Sequence, residues 1–158
     1  MTKAIFVSAA LLFAGQPATA GTMSGNGALS FAALLGQHSP HLSKAEKRLL
    51  LKYLNGEAEA KAPKGKTVSV KADAVTCRIS NVDITFHSCD LTFAGRKVAL
   101  KGRAAHEIYA TLVENGVPGD GAAGSIYEAI GAVDCRIAPA EVVGRGGGGA
   151  QCDYAAAK

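Results

Sequence analysis

Val75-Thr76-Cys77-Arg78-Ile79-Ser80-Asn81-Val82-Asp83-Ile84-Thr85-Phe86-His87-Ser88-Cys89-Asp90-Leu91-Thr92-Phe93-Ala94-Gly95-Arg96-Lys97-Val98-Ala99-Leu100-Lys101 decides how this 158-residue chain is read. Apolar residues recur at every second position: Val75, Cys77, Ile79; then Val82, Ile84, Phe86; then Cys89, Leu91, Phe93; then Val98 and Leu100. Polar residues fill the gaps, among them Arg78, Asp83, Asp90 and Lys97. Successive strand residues face opposite sides, so this period marks a sheet with one wet and one buried face. The phase slips at Ser80-Asn81, at His87-Ser88 and at Ala94-Gly95-Arg96-Lys97, each slip being as long as a tight turn. A four-stranded antiparallel meander over 75–101 is therefore predicted.

Working outward, Ala104, Ile108 and Leu112 sit at i, i+4, i+8 and predict a helix over 103–115, ended by Gly116. Ile126 and Ile130 predict a shorter helix over 122–131, and Val133, Cys135 and Ile137 return to period two. Gly144-Arg145-Gly146-Gly147-Gly148-Gly149 reads as a loop before a last strand, Gln151 to Tyr154. Upstream, Val68 and Val70 alternate after a linker over 57–66. Ser43-Lys44-Ala45-Glu46 is a capping box, and Asn55-Gly56 a stop signal, so a helix over 44–55 is expected. Residues 21–42, rich in Gly, Ser and Ala, read as a loosely ordered lead-in, and no internal repeat is visible. The sum is one α+β domain over 43–158, an antiparallel meander packed on two or three helices.

The first twenty residues read as an address. Lys3 precedes an apolar run from Ala4 to Ala14, Gln16-Pro17 breaks it, and Ala18-Thr19-Ala20 forms a small-x-small cleavage site before Gly21. Export to the periplasm or the medium is the expectation for residues 21–158, with no membrane span after processing. A net charge of +4 is too mild to mark a nucleic-acid binder, and no aromatic residues are interleaved with the basic ones for stacking on bases.

Export governs how Cys77, Cys89, Cys135 and Cys152 are read: an even set in an oxidising compartment predicts two disulfides. Their spacings lack the Cys-x-x-Cys of a zinc ribbon or finger. The pairing stays open. In the four-stranded meander Cys77 and Cys89 lie two strands apart, about 10 Å between Cα atoms, so each would bond to Cys135 or Cys152. Proximity in sequence favours Cys77 with Cys89 and Cys135 with Cys152 instead; that pairing would break the meander.

Candidate chemistry is sparse. The Gly144–Gly149 run lacks the Lys-Ser/Thr that a phosphate-cradling loop requires. Ser125 follows Gly124 without a nucleophile elbow around it. Asp83 and Asp90, on adjacent strands of the meander, form one candidate acid/base pair, and His106 with Glu107 another. His38, His41 and His87 are the candidate ligands of a metal-carrier reading. Neither a catalytic residue nor a cofactor is assigned from these patterns.

Charge is unevenly spread. Residues 44–71 carry +5 and residues 72–158 carry −2. Lys44, Arg48 and Lys52 recur at i, i+4, i+8 with Lys47 beside them, a basic stripe suited to a protein or an anionic envelope component. The expected function is a small exported, non-catalytic binding module, of the inhibitor or assembly-factor kind. The rival readings are a secreted hydrolase and a periplasmic metal carrier.

Overall fold

A computed structural model describes residues 19–55, 67–117, 126–138 and 149–156. The chain folds as a single α+β domain, in whose described residues two four-stranded antiparallel sheets and three helices are tied by the disulfides Cys77–Cys89 and Cys135–Cys152. Residues 1–18 of the expected twenty-residue leader, the linker over 57–66, Ser125 and the Gly144–Gly148 run lie outside the described residues.

The strands are β1 (Thr19–Ser24), β2 (Val68–Ala72), β3 (Ala74–Arg78), β4 (Ser88–Phe93), β5 (Arg96–Lys101), β6 (Ile126–Ile130), β7 (Val133–Ile137) and β8 (Ala150–Ala155). One sheet has the order β1-β8-β7-β2, the other β5-β4-β3-β6. Three helices accompany them: α1 (Gly25–His38), α2 (Lys44–Leu54) and α3 (Arg103–Glu114).

The predicted four-stranded meander is corrected to three strands, β3, β4 and β5. Val82 to Phe86 do not form a strand; Ile84–Phe86 is a 3-10 turn. Local side chains compete for the backbone there. Ser80 Oγ accepts from Val82 N at 3.1 Å, and Asp83 Oδ1 accepts from Thr85 N at 2.7 Å. Both flanks of β3 are already taken, by β4 and by β6. With the extra strand gone, Cys77 and Cys89 stand directly opposite each other, as do Cys135 and Cys152. Their Cα atoms are 4.0 and 3.9 Å apart, so the pairing that follows sequence proximity is the one formed.

Two further expectations are corrected. The helix over 122–131 is not found: 126–130 is strand β6, paired to β3, because Ile126 and Ile130 fit period two as well as period 3.6. The lead-in over 21–42 holds β1 from Gly21 onward and the most buried of the described helices. Ala28, Phe31, Ala32 and Leu35 of α1 are wholly buried, against β8, β7 and β2. Helix α3 covers the other sheet through Ile108 and Leu112, so α1 and α3 are the covering pair.

The expectations for α2, α3, the β4–β5 hairpin and the alternation in β2 and β7 hold. The capping box closes both ways, Glu46 N to Ser43 Oγ at 3.2 Å and Ser43 N to Glu46 Oε2 at 2.9 Å. The hairpin turns at Ala94 and Gly95, both with positive φ (46° and 78°), which matches the twist of the flanking strands.

An internal two-fold, invisible in the sequence, relates the two described sheets. β2–β3 and β6–β7 are two long bent strands that share one register as far as Val75: Val68 faces Ile137, Ala72 faces Val133, Val75 faces Ile130, and beyond it the pairing slips by one residue, so that Thr76 faces Glu128. The symmetry exchanges the two sheets, β1 with β5, β8 with β4, β7 with β3, β2 with β6. β1 and β5 each lead through a positive-φ glycine into a helix: Gly25 at 65° is the first residue of α1, and Gly102 at 59° precedes α3. Each disulfide touches the carbonyl three residues past that glycine. Cys152 Sγ lies 3.5 Å from Ala28 O, and Cys89 Sγ lies 3.2 Å from Ala105 O.

Candidate functional site

The connection from β3 to β4, residues 79–87, is the most apolar exposed segment among the described residues. Val82 is 80% exposed, Phe86 68% and Ile84 40%. The sequence pattern placed these three side chains on a buried face; the 3-10 turn sends them to solvent instead. The segment is closed at its base by Cys77–Cys89 and braced internally. Beyond the Ser80 and Asp83 bonds, Phe86 N donates to Asp83 O at 3.1 Å and His87 N to Ile84 O at 3.0 Å. The Thr85 hydrogen bonds hold the Asp83 carboxyl below its ordinary range, so the bracing acceptor is ionised near neutral pH.

Beneath the loop, His87 is buried and meets His106 of α3. Their Nδ1 atoms are 3.3 Å apart, and His87 Nε2 lies 3.0 Å from Ser80 O. A carbonyl only accepts, so His87 Nε2 carries the proton and its Nδ1 presents a lone pair; in the neutral pair His106 Nδ1 donates to it. Tyr109 packs edge-on against His87 at 6.5 Å. Backbone bonds join the two histidines through one residue: Gly102 N donates to His87 O, and His106 N donates to Gly102 O.

The expected site residues are distributed otherwise. Lys44, Arg48 and Lys52 are exposed on α2, as a stripe requires, but Lys47 is committed. Its Nζ donates to Gln37 O at 2.8 Å, and Gln37 Nε2 donates back to Lys47 O at 3.3 Å, which locks α2 to the end of α1. Asp83 and Asp90 are not neighbours across two strands: Asp83 caps the 3-10 turn, while Asp90 on β4 faces Thr76 and Ala99. Glu107 pairs with Arg103 at 3.0 Å rather than serving His106. His38 ends α1, and His41 lies in the α1–α2 connection with its N–H on Ser39 Oγ. Among the described residues no three His, Cys, Asp or Glu side chains gather as a metal site.

A second polar cluster, which the sequence reading missed, lies at the bend of the long strands. A shallow groove of about 320 Å³ is lined there by Lys71, Asp73, Asp134, Asp153 and Tyr154. Asp134 and Asp153 face each other across β7 and β8. Lys71 Nζ neutralises Asp134 Oδ2 at 3.0 Å, and Thr22 Oγ1 donates to Asp153 Oδ1 at 2.7 Å. The Thr22 and Gln151 hydrogen bonds hold Asp153 below the usual carboxylate range, so it is an acceptor rather than a general acid. Only the alternation of the two strands signals this pair, and alternation alone cannot say which strands meet.

Comparison of the chain with protein-family models, with curated proteins and with solved structures gives no match, so the site is read from its own geometry.

Proposed function

We propose that this protein is an exported, non-catalytic binding module that grips a protein partner with the loop 79–87. One observation carries the reading: Val82 and Phe86 stand 80% and 68% exposed on a segment anchored by a disulfide and by its own backbone bonds. Large apolar side chains held out on a braced loop cost the chain solvation and gain nothing until something covers them. Covering each would contribute roughly 1.5–3 kcal/mol, and bracing lowers the ordering cost that usually offsets such gains.

Export is supported by the leader-like first twenty residues and by two disulfides, which persist in oxidising compartments. No described helix is long and apolar enough to cross a membrane. The β1–β8 ladder is irregular between Thr19 and Gly21 and regular from Gly21 onward, where processing is expected to leave the N-terminus. The hydrolase reading loses support because neither of its residue pairs is assembled.

The test uses two variants of the exported protein as bait against an extract of its own compartment. Val82→Asp with Phe86→Asp should abolish a specific capture, whereas Lys44→Glu with Arg48→Glu and Lys52→Glu should weaken it at low salt at most. The reverse pattern would move the binding surface to α2 and overturn the loop reading. N-terminal sequencing of the recovered protein should begin at Gly21; an intact leader would overturn export.

A further inference from the structure

We infer that His87 and His106 form a two-imidazole site for a borderline divalent transition-metal ion of the zinc or copper class. The spacing is the first argument. Two imidazole nitrogens bound tetrahedrally at about 2.0–2.1 Å from one ion lie about 3.3–3.4 Å apart. His87 Nδ1 and His106 Nδ1 are 3.3 Å apart before any ion is considered.

Orientation is the second. Histidines that bind metal commonly donate their other ring N–H to a carbonyl or carboxylate, which fixes the tautomer and aims the lone pair. His87 Nε2 does this toward Ser80 O at 3.0 Å, leaving Nδ1 as the donor atom. Rigidity is the third. Both backbones are bonded to Gly102, and the disulfide at Cys89 lies two residues beyond His87, so the nitrogens sit on the hairpin end and the first turn of α3.

His106 is half-buried, so water reaches the pair from one side and completes the coordination. Loading requires one proton movement. The hydrogen that His106 Nδ1 donates in the neutral pair shifts through solvent to its Nε2, and both Nδ1 lone pairs then face the ion with no net proton released. One neutral hydrogen bond is given up, a small offset against two metal–nitrogen bonds. A bound ion would staple the apolar loop to α3, so the site lies where it can stiffen that loop. The inference rests on nitrogen geometry alone and stands whether or not the loop docks a partner.

The experiment is a titration of the disulfide-bonded protein with zinc chloride, read by calorimetry and by the imidazole nitrogen shifts in NMR. One equivalent should move the Nδ1 resonances of His87 and His106 and leave their Nε2 resonances protonated. His106→Gln should weaken binding at least tenfold, while His41→Gln should leave it unchanged. Equal affinity in wild type and His106→Gln, or zinc shifts confined to His38 and His41, would overturn the site. Should His106→Gln fail to fold, the Nδ1 shifts of the wild-type protein decide alone: unmoved resonances at one equivalent overturn it.

Discussion

Single side chains set the local structure at identifiable positions. Ser43 and Glu46 satisfy each other's orphan N–H groups at the start of α2, so Ser43→Ala should cost about 1 kcal/mol, seen as a lower urea midpoint with an unchanged slope. Burial first, and Lys47 second, hold the His38 imidazole below its ordinary value of 6.5, against a smaller opposite pull from Glu107. A depressed histidine is charged more readily in the unfolded chain. Its contribution is therefore whole above pH 6.5 and lost as pH falls through the lower folded value. Urea midpoints measured at pH 7.5 and pH 5 should differ in the wild type, and His38→Gln should narrow that difference. The carboxylates Asp83 and Asp153, both depressed, act only further down the scale, below the ordinary carboxylate range.

At the level of elements, one register explains both disulfides. Each joins directly opposed residues of neighbouring antiparallel strands, and each closes the base of a long connection. Their separations of 12 and 17 residues differ by about 0.3 kcal/mol in loop entropy. Cys77→Ala with Cys89→Ala, and Cys135→Ala with Cys152→Ala, should each lose roughly 2–4 kcal/mol by denaturant unfolding, and by nearly equal amounts. A non-reducing peptide map should yield only these two bridges. The β4–β5 hairpin and the capping box of α2 were legible in the sequence because their causes lie within four residues. The loop 79–87 was not. Its alternation is that of a strand, and it fails to become one because β4 and β6 already occupy both edges of β3.

The two described sheets form a two-fold arrangement in which β4–β5–α3 has β8, β1 and α1 as its counterpart. The hairpin joining β4 to β5 has no covalent equivalent between β8 and β1, although Thr19 and Ala155 are paired. A circular permutant should therefore fold: Ala156 joined to Gly21 by a short glycine linker, with new ends opened between Ala94 and Gly95. It should keep both disulfides and a cooperative thermal transition, though a less stable one. Loss of cooperativity would show that the β4–β5 hairpin is required in covalent form, and that the two halves are not equivalent in folding. Helix α1 is not legible in the sequence for two local reasons. Its glycines at positions 25, 27 and 36 weaken helix propensity, and its apolar residues run round more than one face. Only burial between the sheet and its neighbouring helices makes such a segment a helix.

The residue order alone determined the α+β class, the oxidised cysteines, α2, α3 and most strands, because periodicity and capping are short-range physics. Tertiary structure decided which strands are neighbours, which sulfurs meet, that 126–130 extends and that His87 meets His106. Those outcomes depend on competition for sheet edges and for buried volume. Residues far apart in the chain settle that competition, and no local pattern encodes it.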